Sequence, residues 1–250
     1  MRRALVSAKH LTESGFRDLC LEHGVKDEGQ QDYLSEILRH LGIALHDPND
    51  SALMESGWLV KHLYPLLHRA ENQAGILKQA DVDMALLTER NEAGRAFLMT
   101  VLEYFGLAVA GSGVWLLPHT QPVHEPECAG DFREDANAIR MRYTYQTVPD
   151  RLLARIIVRR FDFIEESRER KLQWCHGVIL SRKGARALIL LEPQQRQLTI
   201  TVTGPTKPRH QLADLCQAEM QELHAGFPGC DPVEETQEHG DWRALNPGRP

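Results

Sequence analysis

The sequence predicts an α+β protein in two parts: a helical first part carrying one hairpin, then an antiparallel sheet with flanking helices. Three observations carry that reading. Apolar residues recur at helical spacing between residues 12 and 105, and Gly24, Gly42 and Gly106 close the runs. Ile139, Met141, Tyr143 and Tyr145 alternate with polar residues, and three strand-like runs follow before residue 203. Between the two patterns lies a stretch rich in Pro, Glu and Gly, residues 119–135.

Taken in order, Arg2 to Leu5 look like the second half of a helix, so Met1 is expected to mark a fragment or late start of a longer protein. Residues 12–23 read as a helix with Phe16, Leu19 and Cys20 inward. Residues 30–41 repeat the design with Leu34, Ile37, Leu38 and Leu41. Ile43 to His46 form a short strand, Asp47 to Asp50 a turn, and Leu53-Met54 can pair back across it. Trp58, Leu59, Leu63, Leu66 and Leu67 then fall near helical spacing and mark a buried helical face. Pro65 has no N–H for the Lys61 carbonyl, so a kink or tightening is expected there.

Residues 80–87 and 92–105 are helical, the second with Phe97, Leu98, Val101, Leu102 and Phe105 on one side. Gly111-Ser112-Gly113 between two apolar runs is a hairpin signal, stopped by Pro118. Helices followed by such a hairpin make a winged-helix-like first subdomain, residues 1–118. Residues 119–135 are expected as a linker.

The second subdomain, residues 136–226, opens with the alternating strand. Pro149 should start a helix running to about Phe163, with Leu152, Leu153, Ile156, Ile157 and Phe161 on its apolar side. Arg151, Arg155 and Arg159 form an i, i+4 stripe on another side, joined by Arg160. Strands are expected at residues 172–180, 184–191 and 197–203, with turns at 182–184 and 193–195, and a helix at about 210–224. Residues 227–250, polar and rich in Pro and Gly, read as a tail or linker.

Composition excludes several classes. The net charge of −6 gives no general attraction to nucleic acid or anionic lipid. No run of 18 uninterrupted apolar residues is present. Cys20, Cys128, Cys175, Cys216 and Cys230 are odd in number, widely spread and without a C-x-x-C pair, which fits reduced thiols in the cytoplasm.

Candidate chemistry is sparse. No G-x-x-x-x-G-K-[ST] occurs; Gly111-Ser112-Gly113 lacks the lysine and Gly204-Pro205-Thr206-Lys207 the second glycine. His119, His124 and Cys128, with Glu125 and Glu127, could be imagined around zinc, but their spacing matches no standard pattern and a solvated loop accounts for them. Cys175-His176 falls in an expected strand, so the side chains should point apart. No catalytic, cofactor or metal residue is therefore assigned. A winged helix raises DNA binding as the alternative, beside a stand-alone scaffold. Through Gly130, however, 11 Lys and Arg face 18 Asp and Glu, and the helix at 92–105 offers only Arg95. For the arginine stripe, a solvated face paired locally with Asp150, Asp162 and Glu166 competes with an interface for an acidic partner or second subunit.

The order Leu-Met, then Trp-Leu-Val-x-x-Leu-Tyr-Pro-Leu-Leu, then Gly-Ile-Leu between residues 53 and 77 resembles the COR domain of bacterial Roco-family proteins. Trp58, Leu63, Tyr64 and Pro65 form the signature core of that match. The family has Asp-Pro-x-Trp where this chain has Glu55, Ser56, Gly57 and Trp58. Leu41 to His46, Glu103 to Leu107, Leu116 to Pro118, Tyr143-Thr144-Tyr145 through Arg159 and Gly184-Ala185-Arg186-Ala187 extend the likeness over residues 11–225. The resemblance implies a winged-helix-like COR-A part and an α+β COR-B part. It also implies a module that packs on a Roc (Ras-like) GTPase domain, in cis or trans, helps to form a homodimer and couples nucleotide state to association in signalling. GTP or GDP and Mg would sit on Roc, with no cofactor, membrane or nucleic acid on this chain, which is not itself an enzyme.

Overall fold

The computed structural model describes residues 10–11, 13–40, 44–46, 53–86, 92–167, 170–238 and 241–244. The expected helix at Arg2 to Leu5, the stop at Gly42 and the turn at Asp47 to Asp50 lie outside them. Two units emerge: Met1–Arg69 with Gln79–Ala108, and Ala70–Lys78 with Val109–Pro250.

In the first unit, β1 (His10–Leu11) precedes α1 (Glu13–Glu22) and α2 (Glu28–His40). Gly24, at φ +83°, ends α1, and Val25 N–H reaches back to the Cys20 carbonyl at 2.8 Å. Asp27 accepts from the Gln30 N–H at 2.9 Å and so caps α2. Phe16, Cys20 and Leu38 are buried between the two helices, with Leu19, Val25 and Leu34 packed on them. Strands β2 (Ala44–His46) and β3 (Leu53–Glu55) complete a small antiparallel sheet in the order β1-β3-β2.

Helix α3 (Ser56–Asn72) runs on through Pro65. It buries His62, Leu66 and Ala70, while Leu63, Pro65 and Leu67 are half-buried. Tyr64, which is not among the residues expected on the buried face, is 73% exposed. Two positions from both His62 and Leu66, it sits about 200° around the helix from each. The Trp58 side chain lies outside the described residues.

After β4 (Ile76–Lys78), helices α4 (Gln79–Ala85) and α5 (Glu92–Tyr104) belong to the first unit. There Arg69 grips Asp81 at 2.8 Å.

In the second unit, β4 pairs with β6 (Val114–Leu116), which pairs with β5 (Val109–Gly111). The hairpin expected at Gly111-Ser112-Gly113 is present, its two-residue turn placing Ser112 and Gly113 at φ +48° and +72°. It groups with the second unit, however, so the boundary expected at 118 falls at 108. Packing explains this: Val109, Val114 and Leu116 join the second unit's core.

Residues 119–135 are not a free linker. They carry short 3-10 turns at Pro118–Thr120 and Glu127–Ala129 and one turn of helix, α6 (Asp131–Glu134). Ala129 and Phe132 are buried against Trp174, Ile179 and Leu188. Two large apolar anchors outweigh a composition that reads as loop.

The main sheet begins with β7 (Ile139–Thr144), where Met141, Tyr143 and the following Tyr145 point inward as the alternation requires. α7 (Leu152–Arg159) starts later than Pro149, because Arg151 takes a left-handed conformation at φ +57° and Leu152 N–H bonds the Pro149 carbonyl. A 3-10 turn at Phe161–Phe163 and a small hairpin, β8 (Glu166–Ser167) and β9 (Arg170–Lys171), follow. The single strand expected at 172–180 is split into β10 (Gln173–Trp174) and β11 (Gly177–Arg182), folded back on each other at Cys175-His176. Gly177 is required there: a Cβ would lie 2.3 Å from the Trp174 indole.

β12 (Ala185–Glu192) and β13 (Gln197–Thr203) match expectation, and α8 (Thr206–Ala225) starts one turn early. The expected tail instead supplies β14 (Val233–Glu238) and β15 (Asp241–Ala244), giving an antiparallel sheet in the order β10-β11-β12-β13-β7-β14-β15. α7 and α8 cover one face over a core that includes Tyr143, Val178, Leu198 and Ile200; Phe132 covers part of the other. Among the described residues, no helix is long and apolar enough to cross a membrane.

Candidate interaction surface

The arginine stripe is the first place to look for a partner surface. Its members meet their own chain. Arg151 lies just before α7 and pairs with Asp150 at 3.1 Å. The Arg155 guanidinium stacks 4.6 Å over the Phe227 ring. Arg159 and Arg160 both reach Glu219 on α8, and Arg159 also reaches Glu222. Glu219 is 2% exposed. Its acceptance of a hydrogen bond raises the Arg159 pKa above the usual guanidinium value. The cluster clamps α7 to α8. Of the three local acids anticipated from sequence, only Asp150 takes part.

The hairpin glycines serve the same junction. A Cβ on Gly111 would stand 2.7 Å from Val158 on α7, and Ser112 Oγ donates to the Arg159 carbonyl at 3.4 Å. Close backbone approach accounts for Gly111.

A second polar group lies at the C-terminal end of α8. Tyr145 OH and His224 Nε2 are 2.9 Å apart, and His224 Nδ1 is 3.9 Å from Glu234 on β14. The Tyr143 and His224 rings are 5.4 Å apart. Burial pushes both tyrosine pKa values up and holds that of His224 down.

The other sheet face carries Arg140, Arg142 and Trp242. Arg140 donates to the carbonyls of Phe132, Arg133 and Asp135, fastening the end of α6. Arg142 pairs with Glu235 at 2.7 Å and lies 4.2 Å under the Trp242 ring. Arg140, Thr201, Gln237 and Trp242 line a shallow cleft beside α6. It offers hydrogen bonds and an aromatic wall.

Among the described residues, no three His, Cys, Asp or Glu side chains gather as a metal site. Glu125 pairs with Arg133 at 2.8 Å, and Cys128 packs toward Phe132. Cys175 and His176 sit in the β10–β11 turn rather than along a strand, with Cys175 Sγ donating to the Val123 carbonyl at 3.7 Å.

Sequence reasoning missed Glu219, and nothing local marks it, since it follows Ala218 on an amphipathic helix. It also missed β14, whose Val233 and Thr236 were the available signal amid acidic neighbours.

Comparison with known families assigns residues 136–240 to the family model described as C-terminal of Roc, COR-B domain. The match begins just before β7 and takes in β14. No curated protein matches the chain.

Proposed function

Because residues 136–240 form a COR-B domain, the module that accompanies a Roc GTPase domain, we propose that this chain packs on a Roc domain, brings two copies together and couples the nucleotide state of Roc to that association. The family match carries the reading. It spans the long strands of the sheet together with α7 and α8.

In this reading, guanine nucleotide and Mg belong to Roc, in cis or in trans, and this chain hydrolyses nothing itself. The first unit, with the β5–β6 hairpin after it, acts as the winged-helix-like COR-A part. The five free cysteines accord with a cytoplasmic signalling protein.

Coupling of this kind requires that the two nucleotide states of Roc favour different COR arrangements by about 1–3 kcal/mol. Light scattering across protein concentration, alone and with a Roc domain holding GDP or a GTP analogue, tests it. The expected result is a mass approaching twice 28.4 kDa, with a dissociation constant that changes about 5- to 150-fold between the nucleotides. A monomer at every concentration, with either form of Roc, refutes the proposal.

A further inference from the structure

Two surfaces of opposite charge stand out once the arginine cluster is assigned to the fold. From Leu172 to Ala213 the chain holds six Lys or Arg residues and one acidic residue, Glu192. Glu192 lies at one end of β12. At the other end gather Arg182, Lys183, Lys207 and Arg209, where the Lys183-Gly184 turn abuts the β13–α8 connection. A Cβ on Gly204 would stand 2.9 Å from both the Gly184 carbonyl oxygen and Ala185 Cα.

Arg209 belongs to this scaffold, donating to the Gly204 carbonyl at 3.3 Å, and Arg182 lies 5.2 Å over the Phe163 ring. Lys183 and Lys207 are exposed. The neighbouring carboxylates Glu165 and Glu166 are taken by Arg186 and Lys171.

The complementary surface is the α1–α2 pair. Between Glu13 and Leu38 seven acidic residues face two basic ones. Glu28, Asp32 and Glu36 are exposed at i, i+4 and i+8 on α2, and Asp18 and Glu22 at i, i+4 on α1. Arg17 already engages Asp32 at 3.3 Å and Glu13 at 2.9 Å; the like charges of Asp18 and Glu22 at i, i+4 repel, and a docked cation relieves them. Leu21 and Tyr33, 50% and 66% exposed, lie on the same helices.

We propose that the basic corner of one copy docks on the acidic α1–α2 face of a second copy. The inference rests on the dimerisation reading above and names surfaces for it. Opposed fields of this kind steer encounter and make it sensitive to salt. Among the described residues of the second unit, the large exposed apolar side chains, Val123 and Val233, lie by the Cys175 turn and on β14 rather than at the basic corner, which favours a polar polypeptide over a lipid surface as its occupant.

The test is the mass of the whole chain by light scattering at about 0.01 M and about 1 M salt, where the Debye length is about 30 Å and about 3 Å. The dissociation constant is expected to rise by about tenfold or more with salt. At low salt, Lys183→Glu with Lys207→Glu should weaken association similarly, as should Asp18→Lys with Glu22→Lys. Combining the two reversed pairs should restore it, which also guards against misfolding as the cause. A dimer indifferent to salt and to both reversals overturns the inference and leaves dimerisation standing, as does a weakened dimer that the swap does not restore. A monomer throughout overturns both.

Discussion

Replacing Phe132 with alanine decides whether residues 119–135 are a connector or part of the core. Phe132 is 1% exposed, packs with Ala129, Trp174, Ile179 and Leu188, and has the Arg186 guanidinium 4.9 Å from its ring centre. A connector residue would cost almost nothing to truncate. For the buried ring, lost transfer energy is about 1.5–3 kcal/mol. A residual cavity brings buried Phe→Ala to about 3–5 kcal/mol. Since α6 is a single turn on the sheet surface, the site can partly close, which places the expected loss near the lower end, about 3 kcal/mol. Urea unfolding followed by far-UV circular dichroism measures it, on the transition of the second unit. Val123→Ala, at a 70% exposed position in the same stretch, serves as control and should stay within about 0.5 kcal/mol of the parent. If Phe132→Ala also stayed within that margin, the packing argument would be wrong.

Two further outcomes are expected. Gly177→Ala drives a methyl into the Trp174 indole, a contact of 2.3 Å with a side chain only 2% exposed, so equilibrium unfolding should show a loss of about 1–3 kcal/mol; an unchanged midpoint would contradict the tight β10–β11 turn. Burial holds the His224 pKa below its ordinary value of 6.5, so the native state prefers the neutral imidazole. That contribution is full above about 6.5 and is lost as pH falls from there through the depressed native value. Stability measured between about pH 8 and about pH 5 should therefore fall on acidification, and His224→Gln should flatten that part of the curve; identical slopes would exclude His224 as the cause.

The parts of the fold legible in the sequence are those where one short-range rule acts alone. Alternation fixed which side of β7 is buried, at Met141 and Tyr143, and the paired positive φ values at Ser112-Gly113 and Lys183-Gly184 follow from glycine-containing two-residue turns. Where a distant partner decides, local rules fail. β14 is dominated by Glu and Gln, yet it pairs with β7 because Glu235 meets Arg142, Glu234 approaches His224 and Thr236 Oγ1 donates to the Arg140 carbonyl at 3.2 Å. The strand expected at 172–180 reads as one apolar run, but Gly177 gives no side chain at the point where Trp174 folds over, so the run becomes a hairpin. Pro149 offers a favoured helix start, and the left-handed Arg151 defers it.

The arginine stripe shows the same limit at the candidate site. Spacing at i, i+4 states which residues share a helix face and is silent on whether that face meets water or another helix. Here the deciding acid, Glu219, is 60 residues beyond Arg159. It is buried, so its charge needs compensation, and Arg159 and Arg160 supply it. Recruiting those arginines to a partner would strip a buried carboxylate of its counter-ions, at a cost on the order of 3–5 kcal/mol. Nucleotide-dependent coupling of about 1–3 kcal/mol could not meet that cost. The clamp is therefore a fixed part of the second unit, holding α7 and α8 together. The docking proposed above therefore draws on Lys183 and Lys207, two exposed cations that no carboxylate engages among the described residues.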